Sequence, residues 1–380
     1  MSQDGHQATR DVEHVVVIGG GAAGCATAYY LAAAGARVTI VEREGVGSQA
    51  SGWSAGGLNP LQGIPAPIAA LAMQSYRLHL ELWPQLAAAS SQDLAAGVIS
   101  MAMVARTEAD IPPLLEQQAA FEGADGFSAR WIEAAELRQQ EPRITADVSG
   151  ALLTNGNAIL ESQRFTLALS EAAQHHGATL KAGAVTGIQH EGRQVTGVTL
   201  EDGVIACDAA VIAMGPWSGA AADWLSVPLP VEPLKGEIVR MALAGPPLPF
   251  DIVTPAISLF GRPDGQVWLA STQQRLGFDR EPSAWGYQTL YEPAVDLMPA
   301  IRDATLVRQT ACLRPLSADD LPVAGAVPGW QGAYVATAGG TKGILLAPGM
   351  GRAIADLILT GQTAVSIEGC SLERFAAAAT

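Results

Sequence analysis

The most chemically informative residues are the glycines that follow the first apolar run, HVVVIGG. Gly19, Gly21 and Gly24 form a GxGxxG pattern, in which glycine permits a tight turn, backbone approach to a pyrophosphate and close packing of helix on strand. Ala22 and Ala23 begin the helical pattern that follows, and its first N–H groups can bind phosphate. This loop is therefore predicted to bind a dinucleotide.

An acidic residue stands where such a loop requires one. Glu42 ends the next apolar run, 18 residues after Gly24, and can accept hydrogen bonds from ribose hydroxyls. The pattern fits both NAD and FAD. The small-residue segment Ser48 to Pro60 favours FAD, because it could let backbone approach a bulky ring. Gly339, Gly340 and Gly343 precede the last helical pattern, whose N-terminus could stabilise a reduced flavin ring.

The elements that must position these residues begin with one βαβ unit: the strand HVVVIGG, the helix GAAGCATAYYLAAAGA and the strand RVTIVERE. Helical periodicity follows from Met73 to Leu86, up to Pro84, and again from Arg164 to His176. The segment VIACDAAVIAMG is predicted to be one buried strand. From Val231 onward, strand-like runs separated by Pro and Gly predict a mixed sheet with one helix, Trp285 to Ile301, which Pro293 weakens.

Composition excludes several classes of protein. The chain has 380 residues, 49% of them hydrophobic, and a net charge of −15, which disfavours nucleic acid as a partner. Its four cysteines form no CxxC pair and its histidines no ligand pattern, so no metal site is predicted. The polar N-terminus lacks the features of a signal peptide, and the apolar stretch Val15 to Val41 is too interrupted to span a membrane. A cytoplasmic protein, and a possible homo-oligomer, is expected.

The order of motifs resembles the D-amino acid oxidase superfamily, and most closely its glycine oxidase branch. The likeness spans about residues 14 to 360 through VVVIGGGAAGCATAYYLA, AMQSYRL, ILES, LKGE, MGPWSG, CLRP and KGILLAP. It implies an α/β protein: a Rossmann-like FAD-binding domain from residues 12–90, 150–225 and 315–366, and a substrate domain on a mixed, largely antiparallel sheet from 91–149 and 226–314. It also implies non-covalent FAD.

The resemblance assigns roles by position. Gly19, Gly21 and Gly24 would hold the pyrophosphate, Glu42 the ribose with Arg43 beside it, and Arg314 of CLRP the substrate carboxylate. The remaining implied cofactor contacts are Ala22, Ala23, Ser51, Ala55, Gly56, Gly57, Val185, Gly215, Trp217, Gly340, Thr341, Lys342, Gly343, Ile344 and Leu345.

Three positions depart from the glycine oxidase pattern. Ser258 stands where that branch has a tyrosine that helps to hold the carboxylate, so substrate identity is open. Thr341, followed by Lys342, replaces an arginine near the flavin. Cys312 lies near the position where monomeric sarcosine oxidase attaches FAD covalently, although a buried, inert thiol is the favoured interpretation.

The resemblance implies an oxidation of the amine of a small amino acid: glycine, sarcosine, a D-amino acid or a proline-type compound. Hydride transfer to flavin N5 would give an imine that hydrolyses, with oxygen or another electron acceptor completing the cycle. Three alternatives stay open at this point: a dehydrogenase of the same superfamily that uses a quinone or carrier protein, an NAD-dependent dehydrogenase, and a non-catalytic nucleotide-binding protein.

Overall fold

The computed structural model describes residues 12 to 379; the polar stretch 1–11, on which the expectation about a signal peptide rests, lies outside that range. The helices are α1 (Ala22–Ala33), α2 (Ala50–Trp53), α3 (Ala69–Ala89), α4 (Ile111–Glu122), α5 (Ala134–Gln140), α6 (Ser162–His175), α7 (Ala221–Leu225), α8 (Ala284–Leu297) and α9 (Gly343–Thr360).

The strands are β1 (His14–Ile18), β2 (Arg37–Glu42), β3 (Gly57–Leu58), β4 (Gly97–Ala105), β5 (Ser128–Glu133), β6 (Gly150–Ile159), β7 (Thr179–Ala182), β8 (Val185–Glu191), β9 (Gln194–Leu200), β10 (Gly203–Ala206), β11 (Ala209–Ile212), β12 (Val231–Ala242), β13 (Asp251–Val253), β14 (Ser258–Gly261), β15 (Gln266–Ala270), β16 (Thr305–Ser317), β17 (Val323–Ala326) and β18 (Ala333–Thr337).

The first sheet forms around the predicted βαβ unit. Its strand order is β17-β18-β11-β1-β2-β7, and all neighbours are parallel except β17 and β18. Every residue of β1 is buried, as expected for a parallel strand covered on both faces. Helices α1, α3, α6 and α9 supply the apolar side chains of the core on one face. The α/β fold class is confirmed.

The second large sheet has nine strands, in the order β16-β12-β15-β14-β13-β4-β6-β3, with β5 also paired to β6. Most of its pairs are antiparallel, and α8 packs against it over a separate apolar core. The sequence-based division placed residues 150–159 with the nucleotide-binding part of the chain. In the structure this segment is β6, and its ladder hydrogen bonds join it to the nine-stranded sheet.

The prediction of one strand in VIACDAAVIAMG is wrong. β10 belongs to a three-stranded antiparallel sheet with β9 and β8, whereas β11 belongs to the parallel sheet. Asp208 lies between the two strands, and its carboxylate accepts the N–H groups of Glu13 and His14 at 3.0 and 2.9 Å. The side chain thereby joins the start of β11 to the start of β1.

Proline does not end α3 at Pro84, where the helical periodicity predicts its end. α3 continues through Pro84 to Ala89, and α8 runs through Pro293, as predicted, but ends at Leu297 rather than Ile301. Pro84 lies on the exposed face of α3, where solvent can bind the carbonyl that proline leaves without a helical donor. The segment Gly340–Thr360 is long and apolar enough to cross a membrane, but two thirds of it (67%) is buried inside the protein. It is the central core helix of the first sheet.

Candidate active site

The principal cavity of the described residues, about 580 Å³, lies between the two large sheets. On one side it is lined by residues at the carboxyl ends of β1, β2, β7, β11 and β18, where open α/β sheets bind ligands. On the other side it meets the face of the nine-stranded sheet. The cavity is therefore bounded by the nucleotide-binding loop at one end and by β12, β14 and β16 at the other.

Most of the predicted site residues share this one cavity. Those that line it are Gly19, Gly21, Ala22, Ala23, Glu42, Arg43, Ser51, Ala55, Gly56, Gly57, Val185, Gly215, Trp217, Ser258, Arg314, Gly340, Thr341, Lys342, Gly343 and Ile344. Gly24 and Leu345 do not line the cavity.

The first loop takes a shape that only glycine allows at two positions. Gly19 has φ +113°, a conformation that L side chains rarely adopt. A Cβ on Gly24 would lie 2.1 Å from the carbonyl oxygen of Gly19, so α1 could not pack so close to β1 with any larger residue. Ser51 Oγ accepts the N–H of Ala22 at 3.0 Å and joins the second loop to the start of α1.

The carboxylate of Glu42 organises the nucleotide end of the cavity. One oxygen accepts the N–H of Gly20 at 2.7 Å, and the other accepts the N–H of Glu44 at 2.8 Å. The side chain therefore links the end of β2 to the glycine loop while it faces the cavity. Its position suits a hydrogen bond to the hydroxyls of a ribose.

An aromatic stack closes the same end. The Arg43 guanidinium lies 4.1 Å from the centre of the Trp217 ring, and Trp217 stacks on Phe278 with ring centres 5.6 Å apart. Phe278 belongs to a loop of the substrate-side sheet and is about half exposed (53%). The resemblance places Arg43 beside the ribose, but the stack with Phe278 could not be predicted, because Phe278 is distant in the chain.

The far end of the cavity is formed by the start of α9. Lys342 directly precedes this helix, and its Nζ donates to the carbonyl oxygen of Gln62 at 2.7 Å. Burial lowers the pKa of Lys342 to about 8. Helix N-termini favour negative charge, so the helix and this lysine together make this end of the cavity electropositive.

Arg314 enters the cavity from β16 and is partly buried. Its Nη1 donates to the carbonyl oxygen of Thr272 at 3.0 Å, and burial lowers the pKa of its guanidinium. Among the described residues, no carboxylate forms an ion pair with Arg314. A partly buried cation without such a partner is costly, so Arg314 is prepared to bind an anion.

Cys312 and Ser258 line the same region. Burial raises the pKa of the Cys312 thiol, so the group is the neutral thiol rather than the nucleophilic thiolate. Ser258 lies on β14, paired with Val253 and Ala270. Its short side chain leaves open the space that a tyrosine would fill.

Several cavity residues were not found from sequence. Asn59, Gln62, Ile238, Ser271 and Gln273 line the wall. Ile238 follows the LKGE motif and could have been suspected on that ground. Gln273 belongs to no local motif. Only the packing of the nine-stranded sheet brings it to the cavity.

The residues present fit an extended dinucleotide with a ring system. A continuous cavity joins the loop of Gly19 and the carboxylate of Glu42 to the start of α9. Gly56, at φ +76°, keeps the second loop flat, since a Cβ there would lie 1.9 Å from the Leu160 carbonyl oxygen. Small residues thus leave room for a planar group between this loop and the face of the nine-stranded sheet.

Comparisons with known proteins agree with this geometry. Residues 14–357 match the family described as FAD dependent oxidoreductase (DAO). The glycine oxidase of Pseudomonas putida is 31% identical over 369 residues, which cover 92% of this chain and 95% of that protein. The crystal structure of glycine oxidase from Geobacillus kaustophilus has a TM-score of 0.89 at 28% identity and covers 95% of this chain and 98% of that one. L-Proline dehydrogenase from P. horikoshii shares the fold, with a TM-score of 0.86, at 19% identity over 97% of this chain and 98% of that one.

Proposed function

Because the chain belongs to the FAD dependent oxidoreductase (DAO) family, we propose that it oxidises the amine of a small amino acid such as glycine or sarcosine. The observation that supports this proposal best is Arg314, a partly buried guanidinium that lines the cavity and has no carboxylate partner among the described residues. FAD is the family's cofactor, and the NAD-dependent alternative loses its support.

Arg314 would bind the substrate through its carboxylate. A guanidinium offers two parallel donors, which match the two oxygens of a carboxylate. One of its nitrogens is already fixed to the Thr272 carbonyl, so the side chain is oriented before the substrate arrives. Held in this way, the α-carbon of a short amino acid would lie against the apolar residues Ile238 and Phe260, which exclude water from it.

Little acid–base chemistry is available near Arg314. Of the described residues that line the cavity, Glu42 is the only carboxylate, it lies at the nucleotide end, and none is histidine. The substrate amine would therefore react in its neutral form after it loses a proton to solvent. Bound FAD supplies the hydride acceptor, and water then hydrolyses the substrate imine to an oxo acid and an amine or ammonia.

The residues that would hold FAD are those assigned from the sequence. Gly19, Gly21 and the first N–H groups of α1 would contact the pyrophosphate, and Glu42 would contact the ribose. Ala55, Gly56 and Gly57 would lie along the ring system. Lys342 and the start of α9 would favour negative charge at the ring's far side.

The decisive experiment is anaerobic mixing of the FAD-loaded protein with glycine, sarcosine, D-alanine and L-proline in turn. Loss of the visible flavin absorption identifies the substrate class. Bound FAD that none of these compounds reduces would contradict the proposal and favour a non-catalytic nucleotide-binding protein.

Replacement of Arg314 tests the assigned role. Arg314→Ala should raise KM by about 10- to 100-fold, the loss expected for hydrogen bonds to a charged group, while FAD stays bound. Arg302→Ala is the matched control, because Arg302 is exposed and does not line the cavity. An unchanged KM in Arg314→Ala would remove this residue from the substrate site.

A dehydrogenase that uses a quinone or carrier protein is the second candidate. Hydrogen peroxide formed in air, measured beside reduction of an artificial dye, distinguishes an oxidase from such a dehydrogenase.

We also propose that the two large sheets correspond to an FAD-binding part and a substrate-binding part, and that the protein works in the cytoplasm. The latter is tested by fractionation of cells that express it.

A further inference from the structure

We infer that Gly236, in the LKGE motif, is a positioning residue for Arg314 and sets the affinity of the site for carboxylates. This inference rests on the proposed function of Arg314. It concerns a residue that does not line the cavity and that acts through the space it leaves free.

The guanidinium of Arg314 lies flat on the backbone of Gly236. The two strands β12 and β16 are antiparallel, with Gly236 opposite Cys312 and Leu234 opposite Arg314. The Arg314 side chain crosses diagonally onto Gly236. A Cβ at Gly236 would lie 2.1 Å from Nη2, 2.3 Å from Cζ and 2.4 Å from Nη1 of Arg314. No other residue type allows this contact.

The strand beneath Arg314 is held firmly from its other side. Lys235 and Glu237 flank Gly236, and both side chains are buried, with 1% and 0% exposure. Lys235 Nζ donates to the Asp279 carboxylate at 2.8 Å. The Glu237 carboxylate accepts from Ser283 N and Oγ at 2.9 and 2.7 Å, and from Gln309 Nε2 at 2.7 Å. Because these groups are paired, the strand cannot shift to make room for a methyl group at Gly236 without breaking them.

The partner of Arg314 is attached to the same strand. Glu237 N donates to Thr272 Oγ1 at 2.9 Å, and Lys235 and Gln274 exchange backbone hydrogen bonds at 2.9 Å. The Thr272 carbonyl that accepts from Arg314 is therefore fixed relative to Gly236. In the LKGE motif, Gly236 thus provides the surface on which the guanidinium lies. Its neighbours Lys235 and Glu237 hold that strand in place through their buried hydrogen bonds.

The atom that must move in Gly236→Ala is the far end of Arg314, since the added methyl group meets a flexible side chain rather than backbone. We expect KM for glycine or sarcosine to rise by about 10- to 100-fold, as when charged hydrogen bonds are lost, with FAD content unchanged. The control is Gly97→Ala, in β4 of the same sheet, where a Cβ would meet nothing within 4 Å. It should keep the KM of the natural protein.

A double-mutant cycle separates positioning from a general structural effect. If Gly236 acts through Arg314, then Gly236→Ala should change KM by less than about twofold in an Arg314→Ala background, since the two effects share one interaction. The same cycle is measured without turnover by titrating the FAD-bound proteins with acetate and following the visible flavin spectrum. If Gly236→Ala changes KM by the same factor in the natural protein and in the Arg314→Ala variant, the inference is overturned.

A crystal structure of Gly236→Ala distinguishes failure of this inference from failure of the proposed function. A displaced guanidinium supports the positioning role even if Arg314→Ala shows that the arginine does not bind substrate. A guanidinium that stays in place, with unchanged acetate affinity, overturns the positioning role and leaves the proposed function intact.

Discussion

His79 Nε2 donates a hydrogen bond to the carbonyl oxygen of Ile344 over 2.9 Å. That carbonyl is the one that Pro348, four residues later in α9, leaves without its helical donor. One turn earlier on α3, Ser75 Oγ donates to the Leu345 carbonyl at 2.6 Å and accepts the N–H of Gly349 at 2.9 Å. Two side chains of α3 thus form hydrogen bonds with backbone groups that lack their usual helical partners in the first turns of α9, the helix whose start faces the cavity.

Removal of the His79 side chain should loosen that turn. His79→Ala leaves the Ile344 carbonyl buried and unpaired, at a cost of about 1–3 kcal/mol in the free energy of unfolding, with a further loss from the cavity. We also expect weaker FAD binding, measured as cofactor released on dilution. His175→Ala, at the exposed end of α6, is the control. Equal stability of the two variants in urea would show that the contact is dispensable.

The same histidine should contribute to acid sensitivity. Burial lowers the pKa of His79 to about 4, whereas an unfolded histidine titrates near 6.5. Between these values the unfolded chain binds a proton that the folded chain does not, so stability falls as the pH decreases from about 6.5 to about 4. Glutamine cannot bind this proton, so the free energy of unfolding of His79→Gln should depend less steeply on pH over that range. Parallel slopes in urea titrations would contradict the assignment.

Gly24 should tolerate no side chain. In Gly24→Ala the methyl carbon would lie 2.1 Å from the carbonyl oxygen of Gly19, so α1 must move away from the loop that we propose binds the pyrophosphate. We expect purified Gly24→Ala to lose bound FAD, as judged by its visible spectrum, and to unfold at lower temperature. Gly187→Ala, where the nearest atom is at an ordinary 3.9 Å, should behave like the natural protein. Normal FAD content in Gly24→Ala would show that the loop can adapt.

Cys312 should not bind the cofactor covalently. Because burial raises the pKa of its thiol, the thiolate that would react is scarce. Denaturation should therefore release all FAD, and the intact mass of the protein should equal that of the unmodified chain. Cys312→Ser should retain FAD. A mass increased by one flavin, absent from the serine variant, would contradict this expectation.

Short-range patterns were sufficient for the nucleotide-binding half of the fold. The βαβ unit, the glycine loop and Glu42 are contiguous, and glycine spacing and strand periodicity express their geometry directly. Periodicity did not separate the two strands in VIACDAAVIAMG, because both are apolar and they pair with different partners, β10 with the neighbouring β9 and β11 with β1 far away in the chain. The helical pattern also predicts an end at Pro84, whereas α3 continues to Ala89 with Pro84 exposed.

By itself, the sequence determined the βαβ unit, the glycine loop and the residue types that are candidates for the chemistry: glycines for a phosphate, an acid for a ribose, and an arginine in CLRP. The tertiary structure decided their relations. Arg314 lies on Gly236 and against Thr272, Arg43 stacks on Trp217, and His79 completes α9, in each case through contacts between segments far apart in the chain. Local propensities and spacings act within a few residues, whereas the contacts of Arg314 with Gly236 and Thr272 arise only when two strands and a loop pack together.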